Sequence, residues 1–407
     1  MPAQTIAPPA RSTSTVADVA IVGAGPAGLA LAAAVADAGL TATLVERQPR
    51  SALADPAPDG RDIALTHRAD AILRALGIRE RFPEAEVAPL REARVTDGDS
   101  PFALRFDARR TPDGPLGWLV ANHVIRRAAF EAATSRPAVS LIDGTGVAGI
   151  GAGAAASHGE LVLEDGRRVR ARLLVAADSR FSTMRRAMGI GARMTDFGRV
   201  VIVSRMRHAL PNRGIAHECF RHGDTLALLP MNDDRVSAVV TVTADAAPAL
   251  MAMAPAAFAE LVRERSGDRL GAMTPDGERH AYPLVATYAH RFVARRFALI
   301  GDAAVGMHPV TAHGFNFGLY GVDALVRAIG RRGAGDPGAP AALAEFEREH
   351  RRATLPVWLG TNAIVGLFTD DRPPARLARG AVLRIAEALA PLKAGIERQL
   401  TAVPRAG

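Results

Sequence analysis

Asp18 to Arg47 reads DVAIVGAGPAGLALAAAVADAGLTATLVER. Val19 to Val22 is a wholly apolar run of strand length, and Gly23, Gly25 and Gly28 follow at once with G-x-G-x-x-G spacing. Each glycine answers a separate need. The first permits a tight turn, the second lets a pyrophosphate lie against bare backbone, and the third lets the next helix pack closely on the sheet. Pro26 suits a first helical turn and Gly39 a helix end. The alanine-rich stretch between them is a strong helix former, so its start would aim N–H groups at phosphates. Thr41 to Val45 supplies a second strand, and Glu46 follows 18 residues after Gly28. There a carboxylate accepts hydrogen bonds from both adenosine-ribose hydroxyls and disfavours a 2′-phosphate. The stretch predicts an α/β, Rossmann-type domain that grips a flavin or nicotinamide dinucleotide.

The same glycine spacing recurs at Gly144, Gly146 and Gly149, but Gly151 and Gly153 follow where a helix should begin. From Gly159 the chain reads as a hairpin through Asp165-Gly166. Spacing without the strand and helix around it is a weak signal, and this second copy is expected to be strand and loop.

The 407 residues allow about two to three domains and a large core. The formal charge of +8 raises nucleic-acid binding, yet the basic residues are scattered and all but Lys393 are arginine. Without a clustered basic stripe that function is not expected. Cys219 is the single cysteine, which excludes intrachain disulfides and cysteine-rich metal sites. No metal site is expected. Residues 1–15, rich in Pro, Ala, Ser and Thr, read as a disordered lead without a signal-peptide core. No run of about 18 uncharged apolar residues predicts a spanning helix. A cytoplasmic protein is expected, with contact at the inner face of a membrane as the alternative.

After Met184 the pattern changes. Arg199 to Arg207, Ala216 to Arg221, Thr225 to Pro230 and Arg235 to Thr243 are short strand-like runs separated by turn residues, which predicts an antiparallel sheet. Such a sheet would wall a substrate cavity against the dinucleotide domain. The expected organisation is a discontinuous cofactor domain over 16–90, 111–190 and 291–340, with 91–110 and 191–290 forming the substrate domain. A turn-rich linker, RRGAGDPGAP, leads to a helical segment over 341–407.

The second half of the cofactor unit begins at Phe297 to Ile300, an apolar strand ending in Gly301-Asp302-Ala303-Ala304. Asp302 would sit at a strand's carboxyl end, where open parallel sheets bind ligands. Met307-His308-Pro309 and then Thr311 to Gly318 open an apolar helix, whose start would place backbone donors near a developing anion.

DVAIVGAGPAGLALA, LVER, VAADSRFSTMR, FALIGDAA and HPVTAHGFNFGL together resemble the flavin-dependent aromatic hydroxylases, closely the UbiH/UbiF/UbiM group of ubiquinone biosynthesis. The resemblance covers about Val16 to Leu400. The wording AHGFN, with GRDIALTH and GWLVANH, is more similar to the UbiM branch than to UbiH. It implies a single FAD domain with an inserted, mostly antiparallel substrate sheet, C-terminal helices and no separate nicotinamide domain. By position it implies that Gly23, Gly25, Pro26, Ala27 and Gly28 meet the pyrophosphate and Glu46 the ribose, with Arg47 beside it. Arg61 and Asn122 would lie near the ribityl chain, Val147 by adenine, and Asp178, with Ser182 and Arg185, near the pyrophosphate. Asp302 would bond a ribityl hydroxyl, and Gly314, Phe315 and Asn316 would turn backbone amides to the flavin ring. Three positions depart from the family pattern. Ser179 replaces a glycine and threatens to displace Arg180, His313 replaces a glutamine, and Tyr320-Gly321 replaces Arg-Asp.

The activity implied is oxygen insertion into a phenolic ring, with FAD reduced by NAD(P)H or another donor and O2 as co-substrate. His308 and Pro309 would line the reactive edge, and His308 or His313 would assist phenol deprotonation, against the plainer reading of a positional loop histidine. The expected substrate is a lipophilic phenol or quinol, and other ubiquinone-biosynthesis proteins are the expected partners. The run PPARLARGAVLRIAEALAPLKAGIERQL serves either as a membrane-surface helix or, more commonly, as one packed on the cofactor domain. The alternatives are a halogenase or prenyl reductase on a related scaffold, though the halogenase W-x-W-x-I-P signature is missing, and a flavin-binding assembly subunit without turnover.

Overall fold

The computed structural model describes residues 16–98, 102–108, 114–151, 157–221, 224–308, 313–333 and 335–369. The lead 1–15 and the basic-apolar run after Thr369 lie outside them, as does Pro309.

The fingerprint strand Ala17–Val22 is the centre of a parallel sheet, with Ala42–Val45 and then Val139–Ile142 on one side and Arg168–Ala176 and then Phe297–Leu299 on the other. Its apolar residues are buried because helices cover the sheet. The helix Pro26–Asp37 is buried continuously from Gly28 to Val35, packed among the strands and the helices Asn122–Thr134 and Gly314–Arg332. Its small alanine side chains allow that crowding, and a helix apolar all round belongs in a core. The repeated glycine spacing becomes the strand Val147–Ile150, antiparallel to Gly159–Leu163, which turns through Gly166 into Arg168–Ala176. Among the described residues the next element after it is the strand Gly159–Leu163 and not a helix, in keeping with the sequence context.

Between these halves the chain builds a nine-stranded sheet, antiparallel except where Ile215–Arg221 runs parallel to Glu92–Asp97. The predicted strands appear at Ile215–Arg221, Asp224–Pro230 and Arg235–Thr243. The strand expected at 199–207 is longer, Ala192–His208. It pairs with His280–Ala289 in two stretches, with a register shift between Asp196 and Val200. Gly198 sits there with φ +62°, so a bulge broke the alternation that sequence reading follows.

This sheet has two different faces. On one, Ile202, Met206, Cys219, Leu226, Leu228, Val240 and Val242 pack under the helices Ala247–Ala252 and Pro255–Arg265. Phe258 is fully buried there, worth about 1.5–3 kcal/mol. The other face turns to the cofactor domain. Arg205 bonds Asp62 at 2.8 Å, the Tyr282 hydroxyl donates to Asp59 O at 2.7 Å, and a Cβ added to Gly60 would strike His280 and Val203. A small third sheet of Asp62–Leu65, Gly117–Ala121 and Val87–Leu90 joins the two.

Candidate cofactor and substrate site

The site begins at the first turn. Gly23 has φ +102°, and a Cβ there would lie 2.7 Å from Ala177 O. A Cβ on Gly28 would be 2.0 Å from Gly23 O, whereas one on Gly25 would meet nothing within 4 Å. The first and third glycines are therefore demanded by the protein itself, and the second leaves open space on the ligand side. The helix that starts at Pro26 has no side-chain cap and no acidic residue in its first turn. Its leading N–H groups are thus suited to an anion.

Glu46 ends the second strand, and its carboxylate accepts from Ala24 N at 2.7 Å and Gln48 N at 2.9 Å. A carboxylate has further lone pairs, so the fixed group can still accept ribose hydroxyls. Thr145 N donates to Glu46 O, which brings Val147, two residues on, to the same end of the turn. Arg47 is exposed and pairs with Glu164 at 2.7 Å, a surface ion pair worth little energy.

Asp178 follows Arg168–Ala176 and lies against Gly23. Its Oδ2 accepts from Thr183 N at 3.0 Å, and its Oδ1 is buried with no hydrogen-bond partner. Such an orphaned acceptor beside an uncapped helix start and an open glycine is the chemistry a hydroxyl-bearing dinucleotide satisfies. The residues fit FAD. Ser182 caps the short helix Thr183–Ala187 by accepting from Arg185 N. The Arg185 guanidinium is buried and donates to the carbonyls of Arg180 and Ala303, so it staples two loops. Ser179, in the family's glycine position, is not in the left-handed region, and its side chain simply accepts from Phe181 N. Arg180 donates to Asp302 Oδ2 at 3.0 Å and to Val285 O at 2.9 Å.

Asp302 sits in the turn Gly301–Ala303 directly after Phe297–Leu299. The Ala27 Cβ would lie 3.3 Å from a Cβ on Gly301 and 3.4 Å from one on Gly318. The fingerprint helix, the Asp302 turn and the helix Gly314–Arg332 therefore meet at Ala27. In that last helix Phe317 N makes the first rung to His313 O, and the amides of Gly314, Phe315 and Asn316 precede it. The Asn316 side chain is committed elsewhere, accepting from Thr66 N at 3.1 Å and donating to Ala64 O at 2.8 Å.

Arg61 and Asn122 are gathered by Asp59, a residue that sequence reading missed. Asp59 Oδ2 accepts from Arg61 at 2.6 Å and Asn122 at 2.7 Å. Burial works to raise the Asp59 carboxyl, but these donors outweigh it and hold it below its usual range. Asp302 adds to the negative potential at Arg61, which places both groups in one field. The acidic residue two places before Arg61 in PDGRD was the available signal.

His308 is buried, with its ring edge-on to Phe197 at a centroid separation of 4.9 Å. Burial, with Arg199 nearby, pushes its pKa down to about 4. It is therefore neutral through physiological pH and a weak base. His313 precedes the helix and leans on Phe317 at 5.2 Å.

A family model described as an FAD binding domain matches residues 16–354. The chain is 44% identical to ubiquinone hydroxylase UbiM of Neisseria meningitidis, over 94% of this chain and 84% of that protein. It is 37% identical to ubiquinone hydroxylase UbiL of Rhodospirillum rubrum, over 96% and 91%. Among solved structures, P. aeruginosa PqsL has the same fold with TM-score 0.75 at 20% identity, covering 88% of this chain and 98% of its own.

Proposed function

We propose a substrate and a set of residue roles for this chain, which belongs to the FAD-binding-domain family and is an FAD-dependent monooxygenase of the ubiquinone-hydroxylase kind. The reaction is hydroxylation of the aromatic ring of a polyprenylated phenol or quinol, as in 5-demethoxyubiquinol-type chemistry. The observation that carries it is the meeting of fingerprint, Asp302 turn and Gly314–Arg332 helix at Ala27, beside a sheet that carries the apolar cluster of Val201, Val203 and Leu284 on its cofactor-domain face.

When bound and reduced, FAD supplies the oxygen activation, drawing electrons from NAD(P)H or another donor and one oxygen atom from O2. The chain's residues do the rest. The uncapped start at Pro26 and the bare Gly25 would hold the pyrophosphate, Glu46 the ribose, and Arg61, Asn122 and Asp302 the polar chain between adenine and ring. The Gly314 helix would direct its leading amides and positive end toward charge that develops on the reduced ring. His308, neutral and enclosed with Phe197, would line the reacting edge and keep water out. Val201, Val203, Val239 and Leu284 offer a lipophilic ring an apolar wall.

Among the described residues no helix is long and apolar enough to cross a membrane. A polyprenyl substrate resides in lipid, so contact with a membrane surface through the basic-apolar run after Pro373 is part of the proposal, as is association with other ubiquinone-biosynthesis proteins. Expression in bacteria lacking individual quinone ring hydroxylases, followed by mass analysis of quinones, tests the reaction. Restored ubiquinone supports it. Continued accumulation of the unhydroxylated precursor, with folded and flavin-loaded protein present, refutes it.

A further inference from the structure

Glu218 lies on the strand Ile215–Arg221, and the site described above does not use its carboxyl. Residues 216, 218 and 220 of Ile215–Arg221 point away from the helix-covered face, because Cys219 belongs to the cluster under Pro255–Arg265. Register fixes the neighbours. Glu218 stands opposite Ala227, Ala227 opposite Val239 and Val239 opposite Val203; on the other side it stands opposite Val95, and Val95 opposite Leu104. At one end of this row Val203 and Val239 join the cluster containing Phe197, whose ring touches His308. At the other end Val95 and Leu104 pack with Phe106, Leu116 and Phe220.

A carboxyl thus interrupts an apolar face turned toward the cofactor domain. Among the described residues no side-chain hydrogen bond or ion pair satisfies it. Charged groups on or beside that face have other places: Arg205 is bonded to Asp62, Arg199 bears on His308, His280 lies over Gly60, and Asp97 stands opposite Phe220. None of them bears on Glu218, whose ionisation is shifted by burial alone, to about 8. The residue is partly exposed. A carboxyl without a partner in such surroundings costs stability, which a ligand group bonded to it would offset.

We propose that Glu218 touches the substrate, accepting the hydrogen bond and then the proton of the ring hydroxyl. This rests on the phenol or quinol reading above. In the step the ring O–H bond breaks, the proton passes to a Glu218 carboxylate oxygen, and the bonding pair stays on the ring oxygen. Glu218 becomes a neutral acid, and the ring becomes an electron-rich phenolate. Nothing is oxidised or reduced. The apolar row on both sides accommodates the ring and the start of its tail, so the carboxyl sets the ring's orientation as well.

The test uses FAD-loaded protein and a methoxyphenol carrying a single isoprene unit. The bound probe's phenolate absorption is followed from pH 6 to 9 with oxidised enzyme, and product per O2 consumed is measured during turnover. Parent enzyme is expected to show the phenolate band rising with pH. Glu218→Gln, with flavin content unchanged, is expected to lack the band and to form product about 100-fold or more slowly. Glu218→Asp, keeping the carboxylate one methylene back, is expected to recover part of both signals. A Glu218→Gln enzyme that matches the parent in band and product at every pH overturns the inference. A parent that shows the phenolate band, lost in Glu218→Gln, but forms no product refutes the hydroxylation and leaves the proton acceptor standing.

Discussion

Gly25→Ala separates what the polypeptide requires of its first turn from what the cofactor requires. Gly25 has φ −70° and ψ 174°, which any residue adopts, and its added Cβ would meet no protein atom within 4 Å. The alanine gains about 0.4–1 kcal/mol from a stiffer unfolded chain and loses a similar amount as a poorer helix cap, so the apoprotein should melt within about 1 kcal/mol of the parent. The methyl group nevertheless occupies the side from which a pyrophosphate approaches the backbone. Losing or stretching two amide bonds to a charged group, at about 1.5 kcal/mol each, weakens FAD by roughly 2–4 kcal/mol, or about 30- to 700-fold. Gly28→Ala is the counterpart. Its Cβ would lie 2.0 Å from Gly23 O, a backbone atom that cannot swing aside, so the fold itself should lose more than the about 1–3 kcal/mol of an ordinary overpacked site. Thermal melts of flavin-stripped protein and fluorescence titration with FAD measure the two effects. A folded Gly25→Ala protein that binds FAD with parental affinity would refute the placement of the pyrophosphate.

Three further outcomes follow from the same geometry. Asp302→Ala removes the acceptor proposed for the cofactor and one of the two partners of Arg180, so the protein should purify with little FAD; stoichiometric flavin by absorbance would count against Asp302 as a ligand. Asn316→Ala leaves Thr66 N–H and Ala64 C=O without their bonds, costing about 1–3 kcal/mol in denaturant unfolding at any pH. Glu218 has a folded-state pKa raised from 4.5 to about 8, so its favourable contribution is complete below pH 4.5 and is lost as pH rises toward 8. Glu218→Gln should therefore match the parent near pH 4.5 and exceed it by up to about 5 kcal/mol above pH 8, and a difference independent of pH would show the carboxyl to be solvated.

The parts of the fold read most directly from sequence are those in which local pattern and tertiary role coincide. Val19 to Val22 is apolar because both faces of a parallel strand are covered, and Gly23 and Gly28 are glycines because backbone atoms crowd them. The hairpin at Gly166 was equally plain, and it exposed the second glycine motif as a strand. The irregularity at Gly198 hid the first half of Ala192–His208, since three residues, 197 to 199, stand there against the single Leu284 and Gly198 takes a left-handed conformation that reads as a turn.

In the site, residues fixed by the backbone were easier to place than residues fixed by partners. Asp302 could be located from the strand before it, while its partner Arg180 was thought displaced because Ser179 looked like a lost glycine. That serine is harmless, since its backbone is not left-handed. Asp59 stands two places before Arg61 but was missed, because its role depends also on Asn122, 63 residues away. Glu218 reads in sequence as an ordinary solvent-facing charge on a strand. Only the register reveals that its side of the sheet is turned inward.

Ala27 lodges against Gly301 and Gly318, nearly three hundred positions later in the chain. The ribosome thus finishes the front of the flavin cradle long before its back wall exists, and a nascent fragment ending ahead of Phe297 exposes strand Arg168–Ala176 with no Phe297–Leu299 beside it. Coenzyme capture is on that account a late, all-or-none event in the life of the polypeptide, and the half-made product is a natural client for chaperones.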